Sequence, residues 1–279
     1  MSGEYNRDLS LSNFLLVDEC LLDVRRVSFF KNAIDRVVKP GYVVVDGGTG
    51  TGIIALFAAK RGARVYAVER DRDISRITEQ NVHSNGFSKK IQVINKDIRD
   101  FKLPRRLHAD VVAMEMLDTW LVAEQQAPAI IALKKNGVIT NDTILLPDRM
   151  SCLIRIVNYD FDFYDFEIPI VMQARNFGAV KRVKEVVSNF LDCLSIDLKS
   201  ISNTKIDINI SIPAIRNGII NAVELSSDIY LDGRKYKSTS DMNMPVIVPI
   251  KRRRVKKGDK VRLNINYQMG RGFGEFKIN

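Results

Sequence analysis

The chain has 279 residues, 46% hydrophobic and 27% charged, which is enough apolar matter for a buried core in one or two domains and too much for a disordered segment. It has no run of about 18 apolar residues, and MSGEYNRDLS lacks a basic stretch followed by an apolar one, so neither a membrane helix nor a signal peptide is expected. Three scattered cysteines (Cys20, Cys152 and Cys193) exclude a disulfide framework and show no metal spacing, while the net charge of +10 points to an acidic partner or a nucleic acid. Isolated thiols of this kind suit a reducing cytoplasm.

In chain order, residues 10–38 read as one helix, with Leu11, Phe14, Leu15, Leu21, Leu22, Phe29, Phe30 and Ile34 at helical spacings, ending before Pro40-Gly41. Within it Asp23 and Arg26 are i,i+3 neighbours. On spacing alone a surface ion pair of ~0.2–0.5 kcal/mol is the simpler reading; the alternative sets the Arg26 guanidinium against a cofactor carboxylate.

The stretch 43–71, VVVDGGTGTGIIALFAAKRGARVYAVERD, reads as buried strand, glycine turn, helix and second strand. Four glycines between positions 47 and 52 suit backbone that approaches a ligand closely. Glu69 lies 19 residues beyond Gly50, where a Rossmann-type half places the acid that meets ribose hydroxyls. A dinucleotide fingerprint would need a third glycine inside the helix, which is missing. Asp46 followed by Gly48, Gly50 and Gly52 instead resembles motif I of the class I S-adenosylmethionine-dependent methyltransferases.

A polar helix over 72–84 stops at Asn85-Gly86, and a third strand over 91–95 leads to Asp97-Ile98. The class I resemblance implies that Asp97 and the Ile98 backbone hold the adenine; the plain alternative for Asp97 is a turn or cap residue. A fourth strand over 110–114 ends on EMLDTWLVAE, with Glu115 and Glu124 nine residues apart around the single Trp of the chain. No D/N-P-P-Y motif and no Pro-Cys pair stand there, which counts against methylation of base amino groups and pyrimidine carbons. Taken singly, each glutamate reads as a solvated acid.

Together these motifs resemble the protein arginine methyltransferases over most of the chain. Leu21, Asp23, Arg26 and Phe30 are similar to that family's segment before motif I. Glu115 and Glu124 are similar to its double-glutamate loop, and Leu146-Pro147-Asp148-Arg149 to its step into a β-barrel domain. The resemblance implies that Arg26 holds the methionine carboxylate. It also implies that the two glutamates clamp a cationic nitrogen of a protein substrate. Where the family carries Thr-His-Trp, this chain has Ser240-Asp241-Met242-Asn243-Met244-Pro245, so the acceptor is left open between arginine, lysine and another nitrogen.

Residues 151–279 alternate apolar and polar at 154–157, 206–210 and 261–267, the period of half-buried strands. A helical-looking run over 180–194 and an aromatic run over 159–164 are expected to form an excursion, which in the resembling family docks a second subunit; a homodimer is expected on that ground. The cations between Lys251 and Arg262 read either as protection of an edge strand or as a patch for nucleic acid or an acidic partner. The expected architecture is α/β. A helical segment over 1–40 covers the cofactor, a Rossmann-like domain over 41–148 binds S-adenosylmethionine, and an antiparallel β-barrel-like domain over 149–279 serves substrate and dimerisation. The expected activity is methyl transfer to a protein nitrogen. An RNA methyltransferase and a catalytically inactive binding module are the alternatives.

Overall fold

A computed structural model describes residues 14–173, 179–237 and 244–279. Two helices open it, α1 (Phe14–Leu22) and α2 (Val24–Val37), where one was expected; positions 10–13 lie outside the described residues. The break falls at Asp23, whose carboxylate accepts the Arg26 backbone N–H at 3.0 Å and so restarts the helix as an N-cap. The side-chain ion pair expected between these two residues is replaced by this cap. Helix α2 buries Phe30, Ala33, Ile34 and Val37.

Next come β1 (Val43–Gly47), α3 (Ile53–Lys60), β2 (Arg64–Glu69), α4 (Arg72–Ser84), β3 (Ile91–Asn95), β4 (Val111–Met114), α5 (Gln126–Lys135) and β5 (Ile144–Leu146). The strands form one parallel sheet in the order β3-β2-β1-β4-β5. The chain winds outward from β1 in one direction and then resumes at β4 on its other side. Strand ends β1 and β4 are therefore neighbours at the point where the winding reverses, the place in such sheets where ligands bind. Asp46 pairs in register with Ala67 and Ala113, which puts the glycine turn, the end of β2 and the end of β4 on one rim.

The remaining strands are β6 (Arg149–Tyr159), β7 (Asp162–Phe163), β8 (Phe166–Glu167), β9 (Met172–Gln173), β10 (Val183–Val186), β11 (Leu191–Asp197), β12 (Lys205–Pro213), β13 (Gly218–Leu231), β14 (Arg234–Lys237), β15 (Val246–Val255), β16 (Lys260–Gln268) and β17 (Lys277–Ile278). They make antiparallel sheets in a barrel-like arrangement, chiefly β10-β6-β13-β15-β9 and β12-β16-β17. The alternating stretches at 154–157, 206–210 and 261–267 lie in β6, β12 and β16 as expected. The helix expected over 180–194 is not formed. A short helical turn at Ala179–Arg182 gives way to β10 and β11, both hydrogen-bonded to β6, so open ladder positions on β6 override the local pattern.

One side chain binds the two kinds of sheet together. Trp120 is fully buried, its indole N–H donates to the carbonyls of Ser226 (2.9 Å) and Leu153 (3.2 Å), and its backbone N–H donates to Ser227 Oγ (3.1 Å). The Tyr267 hydroxyl on β16 donates to the Trp120 carbonyl at 2.9 Å. We predict that Trp120→Ala lowers unfolding stability by about 3–5 kcal/mol in urea titration. Tyr267→Phe, which strands a buried carbonyl, should cost about 1–2 kcal/mol. Two near-neutral results would remove Trp120 as the junction.

Candidate active site

The rim is built from the glycine turn outward. Asp46 closes β1 with a fully buried carboxylate that accepts Thr49 Oγ1 at 2.5 Å and the Ala55 N–H at 3.0 Å, so it holds both ends of the turn. Burial pushes its carboxyl up to about 7, against the pull of those two donors. Gly52 has φ +82°, and an added Cβ would lie 2.9 Å from Thr78 Cγ2. Gly50, at φ +55°, donates its N–H to Glu69 Oε2 at 3.1 Å, while its carbonyl accepts Thr78 Oγ1 at 2.5 Å. A side chain at either position would strain the turn. Glu69 also accepts the Asp71 N–H at 3.0 Å, so the acid at the end of β2 lies directly beneath the turn.

Arg26 leaves α2 and crosses to Glu115, just past β4, with Nη2 2.5 Å from Oε2 and side chains only 13% and 11% exposed. Burial pushes Glu115 up to about 7; Arg26 opposes this and the charge on Glu124 adds to it. Burial is the largest influence on the Arg26 pKa and lowers it, but Glu115, Cys20 and Asp23 together outweigh it and leave the group above the ordinary guanidinium value. The Cys20 thiol lies against the same pair and is raised, first by its own burial and then by Glu115. Arg26, Glu115 and Glu124 are thus brought into one electrostatic neighbourhood.

The loop from Glu115 to Glu124 is held by residues that motif reading missed. Asp118 accepts the backbone N–H groups of Ala123 (2.8 Å) and Glu124 (3.1 Å), folding the loop back on itself. Its burial raises the carboxyl to about 7, and those two backbone donors pull the other way. Gln126, fully buried, accepts the Met116 N–H at 3.0 Å and donates to the Met114 carbonyl at 3.2 Å, which ties the second half of the loop to β4. Trp120 (φ 64°) and Leu121 (φ 56°) take left-handed conformations between the glutamates. On α4, Thr78 and Asn81 reach the glycine turn from one helix face; the Asn81 amide donates to the Thr51 carbonyl at 2.9 Å. Their i,i+3 spacing on a helix after motif I was the available signal.

Asp97 is placed differently from the other candidates. Its carboxylate is gripped by Arg99, with Nε to Oδ1 at 3.0 Å and Nη2 to Oδ2 at 2.7 Å, and it caps the short helical turn at Ile98–Asp100. Those hydrogen bonds hold its pKa below the ordinary carboxylate value. Ile98 is buried, and its Cγ1 lies 3.0 Å from where a Cβ on Gly47 would stand, so it belongs to the floor under the turn. The stretch 240–243 lies outside the described residues; beyond it, the Met244 carbonyl accepts Thr119 Oγ1 at 2.5 Å, next to the glutamate loop.

Comparison with known proteins bears on the fold and the family. The profile of the TRM5/TYW2 methyltransferase domain matches residues 20–155. An uncharacterised protein of Methanocaldococcus jannaschii is 29% identical over 262 residues, covering 93% of this chain and 94% of that one. Protein arginine N-methyltransferase 1.1 of Arabidopsis thaliana is 33% identical over 153 residues; the match takes in 54% of this chain and 38% of the plant enzyme, well under half its length. Among solved structures, the Trypanosoma brucei PRMT1 enzyme–prozyme heterotetrameric complex with AdoHcy has the same fold, with a TM-score of 0.75 at 17% identity over 91% of this chain and 88% of that one. The chain is a class I S-adenosylmethionine-dependent methyltransferase that resembles the protein arginine methyltransferases.

Proposed function

We propose that this methyltransferase methylates a nitrogen of a protein side chain held between Glu115 and Glu124. The observation that carries the reading is the buried Arg26–Glu115 pair at the end of β4, close enough to Glu124 for its charge to raise the Glu115 carboxyl. Two carboxylates on the loop that follows β4, one of them raised to about 7, suit a cationic acceptor whose arrival would favour their charged forms.

The rim also fits the cofactor. Arg26 offers further guanidinium N–H groups to an amino-acid carboxylate, Glu69 a carboxylate to ribose hydroxyls, and the side-chain-free turn at Gly48, Gly50 and Gly52 a close backbone approach. Asp97 and Ile98 complete the proposed seat on the adenine side. When bound, S-adenosylmethionine supplies a methyl group on a sulfonium sulfur. The protein's part is to orient the acceptor: two carboxylates fix its nitrogen and concentrate its positive charge there. That nitrogen sheds one proton as it gains the methyl group, and a Glu115 oxygen takes it before solvent does.

A second reading, methylation of RNA, is favoured by the match to the TRM5/TYW2 domain. Radiolabelled cofactor added to lysate separates the two. Label in protein supports the proposal, and label confined to RNA replaces it. We also propose a homodimer and a cytoplasmic location, the latter resting on three unpaired cysteines. The dimer rests on the segment through β7 and β8, where Tyr164, Phe166 and Ile170 are 93%, 69% and 52% exposed. Such a run of apolar surface fits burial against a second copy of the chain. Among the described residues no helix is long and apolar enough to cross a membrane.

Glu115→Gln should leave cofactor affinity within about threefold by calorimetry while cutting transfer by roughly 10²–10³-fold; undiminished transfer would remove the glutamate mechanism. Because Glu115 must be ionised to grip the acceptor, kcat/KM should fall as pH drops below about 7 and level off above it. A flat profile between pH 6 and 8, set against ~10-fold loss per unit on the acid side of a single group, would contradict that role. Light scattering at micromolar concentration should give twice the chain mass, and Phe166→Glu should return it to one; a monomeric wild type would end the dimer proposal.

A further inference from the structure

Towards its end strand β15 carries Lys251, Arg252, Arg253 and Arg254, all four exposed, before closing on the buried Val255. Alternate residues of a strand face opposite ways, so four exposed neighbours mean that both faces of the strand stand in water over this stretch. The turn that follows adds Lys256 and Lys257, and β16 opens with Lys260 and Arg262 on its outer face. Between positions 251 and 262 there are eight cations and one carboxylate, which account for seven of the ten net positive charges of the chain. That carboxylate, on Asp259, is spent inside the turn, accepting the Lys256 N–H at 2.7 Å. Among the described residues no carboxylate lies in ion-pair contact with any of the eight.

Protection of an open strand edge is the ordinary reason for such residues, and among the described residues β15 does lack a partner on one side beyond its Ile247–Met172 pairing. One or two lysines accomplish that. Self-repulsion among eight uncompensated cations works against the fold unless a polyanion relieves it. The outer face of β16 extends the tract with groups that hydrogen-bond: Ser211 stands opposite Arg262, and Asn209 opposite Asn264, whose amide donates to the side chains of Asp207 and Asn209. Cations in line, followed by amides, a hydroxyl and one carboxylate (Asp207) engaged by the Asn264 amide, match a sugar–phosphate chain with polar base edges.

The direction of β16 says what the tract is for. The strand runs from Lys260 to Gln268, roughly 30 Å at ~3.4 Å per residue. Just beyond its far end the Gly270 N–H donates to the Leu121 carbonyl in the glutamate loop. Phosphates on the tract therefore lie far from the methyl-transfer rim. We propose that this end of the barrel-like half is a binding surface for a nucleic-acid backbone, separate from the acceptor site.

The test is fluorescence anisotropy of the full-length chain with labelled single strands of about 20 nucleotides, one RNA and one DNA, across a KCl series. Affinity should fall steeply with salt. Arg252→Glu/Arg253→Glu/Arg254→Glu should weaken binding at least tenfold and reduce the log–log salt slope by about 2, near 0.7 for each phosphate no longer neutralised. Calorimetric binding of S-adenosylmethionine should be unchanged in that variant, which checks that it is folded. Tighter binding of RNA than DNA would assign the tract to RNA, and equal binding to the shared phosphate backbone; either supports the proposal. Unaltered affinity in the triple variant would overturn it, as would polyglutamate binding as tightly as the oligonucleotides, which would assign the surface to acidic proteins. Because binding is read without methyl transfer, its failure is distinguishable from failure of the proposed reaction.

Discussion

The buried ion pair between Arg26 and Glu115 is the contact on which the site's construction depends. Both side chains are almost excluded from water, and each would be costly to bury alone. Removing either partner of such a pair typically costs about 3–5 kcal/mol, because the other is left as an uncompensated charge. The pair also spans two layers. One charge sits on α2, which covers the sheet, and the other at the end of β4. The pair therefore ties the N-terminal helix to the end of β4.

Around that pair the loop from Glu115 to Glu124 is suspended rather than free. Asp118 folds it from within, Gln126 fastens it to β4, and Trp120 is locked into the antiparallel half by donors and acceptors on β6, β13 and β16. Left-handed conformations at Trp120 and Leu121 cost of order 1–3 kcal/mol each, and they persist because the surroundings fix them. The antiparallel half thus acts as the mould for the loop that presents the glutamates. A defect at Tyr267 or Ser227 would be felt at the rim through Trp120.

The parallel sheet was legible because its signals are local: short β-branched runs, glycines where φ turns positive, and acids at strand ends. Glu69 and Asp46 could be placed that way, and the structure has both accept hydrogen bonds from one glycine turn. Arg26 was not legible from spacing, since Asp23 three residues earlier offered a nearer partner. Geometry gives the Asp23 carboxylate to a backbone N–H and frees the guanidinium for a contact 89 positions away in the chain. The stretch over 180–194 was misread for a related reason, as its conformation is decided by ladder positions on β6 that local pattern cannot show. Asp118, Gln126 and Trp120 were overlooked as supports because their partners are backbone groups, which leave no trace in residue type.

Glu115 and Glu124 are proposed to hold the acceptor nitrogen together, and this is tested most directly by a crystal structure of the chain with S-adenosylhomocysteine and the peptide it methylates. Carboxylate oxygens from both glutamates should lie within hydrogen-bond distance of the acceptor group, with Arg26 on the amino-acid carboxylate of the cofactor. An acceptor bound elsewhere on the rim, or touching only one of the two glutamates, would contradict it.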